Sequence, residues 1–141
     1  MGDIRILIAG GGTGGHLFPG IAVGREFLER YPWATIIFVT GERRMESDIL
    51  TESGFTQVPI RVRGLKGMGW RKAAGSMLTL PRGLIQALSI LLKHSPGLVL
   101  GVGGYSAGPV CLAARILGKP TAIHEQNSYP GFTNRLLSRI V

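Results

Sequence analysis

A chain of 141 residues has the usual size of one domain, and 45% hydrophobic with 17% charged residues is typical of a folded protein. Its only cysteine, Cys111, excludes an internal disulfide framework and lies in an apolar stretch, which favours a core position over a catalytic thiol. The net charge is +8, and Glu125 is the only acid after Glu52, so the one-sided positive charge predicts an anionic partner.

Short apolar runs alternate with helical repeats along the chain. The predicted elements are strand 4–9, helix 17–28, strand 34–40, helix 44–52, strand 57–62, a long helical region 71–93 broken near Pro81, strand 98–102, helix 107–117, strand 120–124 and helix 132–140. Pro19 is expected in the first turn of its helix, where proline is tolerated. The alternation predicts an α/β fold with a doubly wound, Rossmann-like parallel sheet, in which ligands bind beyond the carboxyl ends of the strands.

Two glycine-rich segments follow predicted strands at that edge of the sheet. They are GGGTGGH, residues 10–16, and GVGGYSAG, residues 101–108. Glycines let the main chain turn tightly and approach a ligand, and the N–H groups at the start of the next helix attract anions. Two such turns in one small sheet predict a site for a diphosphate, or for two ligands that meet.

The first segment also fits the dinucleotide pattern G-x-G-x-x-G at Gly10, Gly12 and Gly15, which is weak evidence alone. Its glycines exceed what that pattern needs, and Glu42 lies beyond the usual place of a ribose-binding acid. A nicotinamide dehydrogenase is therefore kept as an alternative.

Polar side chains at the same edge are candidates for catalysis. His16 stands at a helix start, where an imidazole can take a proton from a hydroxyl nucleophile, although a structural histidine fits as well. The segment HEQN, residues 124–127, follows the last strand, and its Glu125 is suited to bind sugar hydroxyls or to orient a base. The sequence has no D-x-D pair, so no metal site is predicted.

Residues 73–92 contain a single charged residue, Arg82, among mostly apolar ones. One interpretation is a buried helix. The other is an apolar patch with basic flanks that rests on an anionic lipid leaflet. Nucleic acid is not an expected partner, because the basic region lacks interleaved aromatic residues and no known module is present. The amino terminus shows no signal-peptide pattern, so a cytoplasmic compartment is expected.

The order GGTGGH-x-x-P-G (residues 11–20), GVGGYSAGP (residues 101–109) and HEQN (residues 124–127) resembles the MurG family of peptidoglycan N-acetylglucosaminyltransferases. That family has two Rossmann-like domains facing a cleft, the GT-B arrangement. The resemblance implies that residues 1–141 form the N-terminal, acceptor-binding and membrane-associating domain, with a C-terminal donor domain outside this chain. It implies inverting transfer of GlcNAc from UDP-GlcNAc to lipid I, an undecaprenyl-diphosphate-linked acceptor, by a peripheral enzyme at the cytoplasmic face of the membrane.

Carried over by position, the resemblance implies a catalytic base at His16, with Glu125 as the second candidate. It implies substrate-binding roles for Thr13, Gly14, Gly15, Gly103, Gly104, Tyr105, Ser106, Gln126 and Asn127. UDP-GlcNAc is a substrate, so no cofactor is implied, and the region from Leu65 to Lys93 would contact the anionic membrane surface. A non-catalytic membrane-bound subunit that recruits a separate glycosyltransferase remains an alternative.

Overall fold

The structure is a computed structural model that describes residues 4–62 and 79–141. The described residues form the strands β1 (Arg5–Ala9), β2 (Thr35–Thr40), β3 (Thr56–Pro59), β4 (Leu98–Gly101) and β5 (Thr121–Ile123). The helices are α1 (Gly14–Arg30), α2 (Arg44–Glu52), α3 (Thr79–His94), α4 (Ala107–Ile116) and α5 (Phe132–Leu137). The predicted alternation of strand and helix is confirmed.

All strand pairs are parallel, and the sheet order is β3-β2-β1-β4-β5. The chain moves outward from β1 to β3 on one side, then crosses back to β4 and moves outward to β5 on the other. β1 is therefore flanked by β2 and β4, and the loops after β1 and β4 leave the sheet in opposite directions. Such a reversal opens a crevice at the carboxyl ends of the two central strands, where ligands of doubly wound sheets bind.

A hydrophobic core fills each face of the sheet. Side chains alternate along β1, so Ile8 and Leu7 point to opposite faces. Ile8 packs with buried residues of α1 and α2, among them Leu17, Ile21 and Leu50. Leu7 packs with buried residues of α3, α4 and α5, among them Ala87, Leu91, Val110, Cys111 and Leu137. Helices cover both faces, which confirms the doubly wound architecture.

Cys111 is fully buried in the second of these cores, as the sequence predicted. Burial raises the pKa of its thiol to about 12, because an apolar environment disfavours the thiolate. The sulfur also lies close to the sheet: a Cβ built on Gly101 would be 2.7 Å from Sγ. A catalytic thiol is excluded.

The predicted position of Pro19 was wrong. α1 begins at Gly14, so Pro19 is its sixth residue and lies inside the helix. Proline has no N–H, so it cannot donate the helical hydrogen bond to the carbonyl four residues earlier, which belongs to Gly15. That carbonyl is left for another donor.

The end of β3 also differs from prediction. β3 ends at Pro59 rather than at residue 62, because Val62 N–H donates to the Ile60 carbonyl at 3.1 Å and turns the chain away from the sheet. α3 begins at Thr79, so Pro81 lies in its first turn, and the predicted break near Pro81 stays a prediction. Residues 71–78 of the predicted helical region lie outside the described residues. Over residues 4–62 and 79–141, no helix has the length and apolarity needed to cross a bilayer.

Candidate functional site

Two glycine loops meet at the crevice between β1 and β4. The first glycine loop comprises residues 10–13 and the second comprises residues 102–106. Gly12, Gly103 and Gly104 have φ of 99°, 93° and 83°, in the region that favours glycine. A Cβ on Gly104 would lie 1.9 Å from the carbonyl oxygen of Gly11. The two loops therefore touch backbone to backbone, at a distance that no other residue type permits.

Each loop runs into the start of a helix. The first helical donors of α1 are His16 N–H and Leu17 N–H, which reach the Thr13 carbonyl at 3.1 and 3.3 Å. The N–H groups of Gly14 and Gly15 precede them, and Thr13 makes no side-chain capping bond. Amides in the first turn of a helix, with the positive end of the helix dipole, suit an anion.

The start of α4 also lacks a side-chain cap. Ser106 occupies the capping position without a capping hydrogen bond, and its Oγ is buried without a partner among residues 4–62 and 79–141. The structure thus places Thr13, Gly14 and Gly15 and the loop that contains Gly103 to Ser106 at one edge of the sheet.

Glu46, a residue that the sequence analysis did not single out, supports the first glycine loop through a hydrogen bond. Its side chain is fully buried, and Oε1 accepts a hydrogen bond from Gly12 N–H. Arg43, at the capping position of α2, donates from Nη1 to the Gly12 carbonyl at 2.9 Å. Because Gly12 N–H donates to a carboxylate, it is not available to a ligand.

A signal for Glu46 does exist in the sequence. Glu46 precedes the buried Leu50 by four residues, so a helix over residues 44–52 places both on its buried face. A carboxylate on such a face needs a hydrogen-bond donor. The sequence alone does not show that the donor is a glycine loop more than thirty residues away.

Tyr105 packs its ring between the first glycine loop and the end of β2. A Cβ on Gly12 would lie 2.7 Å from the ring, and one on Gly41 would lie 2.6 Å from the hydroxyl oxygen. Burial raises the pKa of Tyr105, the carboxylate of Glu46 raises it further, and Arg43, 5.8 Å from the ring centroid, opposes the shift. Tyr105 keeps its phenolic proton at neutral pH, and its aromatic ring restricts the conformation of the first glycine loop.

His16 lies where the two glycine loops and the segment after β5 come together. Its Nδ1 is 2.7 Å from Nε2 of Gln126 and 3.2 Å from the carbonyl oxygen of Val102. The same Gln126 nitrogen donates to the Gly15 carbonyl at 2.9 Å. The predicted residues His16 and Gln126 are thus in direct contact, although 110 positions separate them.

Glu125 is bound by four donors and faces its own segment. Its carboxylate accepts hydrogen bonds from Asn127 N–H at 3.0 Å, Asn127 Nδ2 at 2.8 Å, Gly131 N–H at 3.0 Å and Asn134 Nδ2 at 2.9 Å. Partial desolvation raises the pKa of Glu125, but the four bonds outweigh it and hold the pKa at about 2. Such a carboxylate accepts protons weakly at neutral pH. The geometry favours a structural role, in which Glu125 connects the segment after β5 to α5 through these hydrogen bonds.

Asn134 is a second residue that the sequence analysis did not single out. It is buried in α5, and its Nδ2 donates to the His124 carbonyl at 3.0 Å as well as to Glu125. An asparagine at this spacing forms no recognisable pattern, because its partners lie across a loop.

Glu42, the acid considered for ribose binding, forms an ion pair on the surface. Glu42 Oε1 lies 3.0 Å from Nε of Arg61 in an exposed ion pair. Over the described ranges, 4–62 and 79–141, no group of three or more His, Cys, Asp or Glu side chains is placed to hold a metal ion.

Residues 6–141 match the glycosyltransferase family 28 N-terminal domain. Two curated relatives share the name UDP-N-acetylglucosamine–N-acetylmuramyl-(pentapeptide) pyrophosphoryl-undecaprenol N-acetylglucosamine transferase. The protein from Desulfotalea psychrophila is 50% identical over 97% of this chain, and that from Myxococcus xanthus is 47% identical over 98%. The chain spans only 37% and 36% of the length of these relatives.

Solved structures give the same picture of the fold. The crystal structure of Acinetobacter baumannii MurG superposes with a TM-score of 0.84 at 30% identity, covering 99% of this chain and 40% of that one. The glycosyltransferase SnogD from Streptomyces nogalater superposes with a TM-score of 0.65 at 18% identity, covering 97% and 38%, which shows a shared fold. The sheet is thus that of the N-terminal half of a GT-B glycosyltransferase.

The contact between the glycine loops yields a test with a matched control. We expect Gly104→Ala to lower the free energy of unfolding by about 2–5 kcal/mol, because it adds backbone strain and a clash with the Gly11 carbonyl. Gly118 also has a positive φ, 66°, but nothing within 4 Å of an added Cβ. Gly118→Ala should therefore cost only about 1–2 kcal/mol. Urea unfolding measures both, and equal losses would contradict the contact.

The support of the first glycine loop by Glu46 gives a second test. We expect Glu46→Ala to lower the free energy of unfolding by about 1–3 kcal/mol, since the N–H of Gly12 loses its partner. The control is Asp48→Ala on the same helix, which removes an exposed pair with Arg44 at 3.8 Å and should change stability by less than about 0.5 kcal/mol. A harmless Glu46→Ala would show that the loop does not need the carboxylate.

The lowered pKa of Glu125 gives a pH-dependent test. The folded-state pKa is about 2 against an ordinary 4.5, so the stabilisation is complete above pH 4.5 and is lost as the pH falls towards 2. We expect Glu125→Gln to be less stable than the wild type at pH 7, with a difference that shrinks as the pH falls through this window. Chemical unfolding at several pH values measures it. Glu52→Gln, at an exposed position, is the charge-matched control, and an equal pH trend there would contradict the assignment.

Proposed function

The chain belongs to glycosyltransferase family 28 as its N-terminal domain, and from this premise we propose that it is the acceptor-side half of an N-acetylglucosaminyltransferase of peptidoglycan synthesis. The proposed reaction is inverting transfer of GlcNAc from UDP-GlcNAc to the C4 hydroxyl of an undecaprenyl-diphosphate-linked muramoyl-pentapeptide, lipid I. This step would serve cell-wall growth and hence cell shape and division. Family membership leaves the nicotinamide dehydrogenase without support.

The proposal takes its substrates from the names of the relatives, which describe transfer of N-acetylglucosamine to a pyrophosphoryl-undecaprenol acceptor. Because the chain spans little more than a third of those proteins, the donor would be held mainly by a C-terminal donor domain. Residues 1–141 would then supply the acceptor side of the cleft. UDP-GlcNAc is a substrate in this scheme, and no cofactor takes part.

One observation supports the site above all others: two helix starts and two glycine loops meet at a single crevice of the sheet. Both proposed substrates contain a diphosphate, the type of anion that such helix starts bind. We propose that the amides of Gly14 and Gly15 and the side chain of Thr13 contact a diphosphate. The second glycine loop, with Gly103, Gly104, Tyr105 and Ser106, and the nearby Gln126 and Asn127 would shape the remaining surface.

Within this site we propose His16 as the side chain that acts at the reacting atoms. It lies between both loops and directly follows the free amides of α1. Glu125 is proposed to hold the segment after β5 in place, because its four hydrogen bonds and its low pKa oppose proton abstraction. Much of the rate gain would come from holding two substrates side by side.

A chimera tests the function and the role of His16 together. This chain replaces the matching N-terminal segment of the Desulfotalea psychrophila relative, with which it is 50% identical. We expect the chimera to transfer GlcNAc from UDP-GlcNAc to a lipid-linked acceptor. His16→Ala should lower kcat by about 10²-fold or more with a smaller change in KM, because it removes a group that acts in the transition state.

The control is His94→Ala, at the far end of α3, which should keep full activity. A folded chimera without transfer would favour the non-catalytic subunit over the enzyme. Full activity of His16→Ala would remove His16 from the reaction.

We also propose that the domain rests on an anionic membrane as a peripheral protein at the cytoplasmic face. Residues 63–78 of the predicted membrane region lie outside the described residues, but α3 and α4 pack side by side and expose apolar side chains. Ile85, Leu92 and Ile116 are 66%, 65% and 60% exposed. The basic residues Arg82, Lys93 and Arg115 stand exposed among them, as on surfaces that contact anionic lipid.

Vesicle sedimentation tests this surface. We expect Leu92→Asn to weaken binding to vesicles with anionic lipid severalfold, because it removes apolar area from the lipid contact. Met45→Asn is the control, since Met45 is 46% exposed on α2, which covers the opposite face of the sheet. Equal binding to neutral and anionic vesicles, or equal loss in both variants, would contradict the proposal.

A further inference from the structure

A chain of hydrogen bonds connects the interior of α1 to the Nδ1 edge of His16. It begins with Pro19, which has no N–H to give to the Gly15 carbonyl. Nε2 of Gln126 supplies the missing bond at 2.9 Å, reaching from the segment after β5. The same nitrogen then meets Nδ1 of His16 at 2.7 Å.

Two carbonyl oxygens favour one orientation of the Gln126 amide group, in which Nε2 faces α1 and Oε1 is buried without a partner among residues 4–62 and 79–141. The group that faces α1 has two carbonyl oxygens near it, of Gly15 at 2.9 Å and of Val102 at 3.5 Å. An amide oxygen in that place would oppose both of them, whereas an NH₂ group donates to them. One of its hydrogens goes to the Gly15 carbonyl, and the other is free to point at Nδ1 of His16.

This orientation determines the tautomer of His16. A nitrogen that accepts a hydrogen bond from an amide has no proton, so the proton of a neutral imidazole is on Nε2. Among the residues that the structure describes, both polar contacts of the imidazole are made at Nδ1, with Nε2 of Gln126 at 2.7 Å and with the carbonyl oxygen of Val102 at 3.2 Å. The carbonyl could only accept from a protonated Nδ1, so the two contacts compete, and the shorter one, from the amide, fits an unprotonated Nδ1. The Nδ1 edge also fits tightly against Gly103, where a Cβ would lie 2.7 Å from the nitrogen. Nε2–H is therefore the group left for a ligand.

We propose that Gln126 is a positioning residue that holds His16 in the Nε2–H tautomer, so that His16 meets the substrate as a hydrogen-bond donor to a diphosphate oxygen. This rests on the proposed function, and it replaces the base predicted from the sequence. A base at Nε2 would need its proton on Nδ1, which would then donate to the Val102 carbonyl at 3.2 Å and give up the shorter hydrogen bond from Gln126. A donor needs no such change, and an N–H aimed at a phosphate stabilises the charge that develops there.

The tautomer itself is the first test, and it does not depend on any activity. Long-range ¹H–¹⁵N spectra of the chain labelled at histidine distinguish a protonated from an unprotonated ring nitrogen. At pH of about 9, above the ordinary titration range of imidazole, we expect a protonated Nε2 and an unprotonated Nδ1 in His16. A protonated Nδ1, or an average of both forms, would overturn the proposal.

Two variants test the role of Gln126. In Gln126→Glu a carboxylate oxygen replaces the amide donor, so we expect the proton to move to Nδ1 and the pattern to reverse. Ser128→Asp adds the same charge to the same exposed segment and should leave the wild-type pattern. An unchanged pattern in a folded Gln126→Glu would show that Gln126 does not set the tautomer. If that variant does not fold, Gln126→Ala should give averaged nitrogens, and an unchanged pattern there would equally overturn the role.

Kinetics of the chimera then distinguish the two sources of the diphosphate. We expect Gln126→Glu to lower kcat/KM by about tenfold or more. A fall in kcat assigns the donor to the departing UDP, and a rise in KM for the lipid acceptor assigns it to the acceptor diphosphate. Unchanged kinetics would overturn the donor role. A chimera that transfers no sugar would refute the proposed function. The tautomer measurement is made on the chain alone, so it tests the role of Gln126 independently of that result.

Discussion

The approach of Gly104 to the carbonyl of Gly11 is the constraint on which the candidate site depends. Because an added Cβ would lie 1.9 Å from that oxygen, the two loops can only come together as bare main chain. Their contact brings the starts of α1 and α4 to one crevice at the reversal of the sheet. The glycines of both loops are therefore needed to bring the two helix starts together.

Close to this contact, the side chain of Glu46 distinguishes the amide of Gly12 from the amides of Gly14 and Gly15 at the start of α1. Glu46 turns Gly12 N–H inward, while Gly14 and Gly15 face away from the helix body. The buried carboxylate of Glu46 therefore occupies the amide of Gly12. The crevice thus contains an acid as part of its frame, and the ring of Tyr105, from the second glycine loop, packs against Gly12 and Gly41.

The fold followed from the sequence because its determinants are local. Apolar runs of five to seven residues, three of them followed directly by glycine, alternated with helical spacing, so the strands were placed within a few residues. Errors arose where a single backbone group decides the outcome, as at Val62, which turns β3 away, and at Pro19, whose helix begins earlier than its apolar spacing suggests.

Much less of the site could be derived in this way. The glycine segments and the HEQN segment were found because strand ends in a parallel sheet share one edge. The contacts of these segments were not found, because the partners come from other elements. Gly12 is bound by Glu46 of α2, and Gln126 contacts His16 of α1. For Glu125, the sequence predicted binding of sugar hydroxyls or orientation of a base, and the family resemblance a second candidate base. Its low pKa comes from neighbours that neither source identified, Asn134 and Gly131 among them. The pKa of a carboxyl group depends on such neighbours, so the residue type alone does not predict it.

The lone thiol has a practical consequence for studying this domain. Cys111 lies under the sheet beside Gly101, and its thiolate is suppressed at neutral pH. An alkylating reagent can reach it only when α4 separates from β4. The rate of its labelling thus reports how often the centre of the domain opens, without the introduction of any probe.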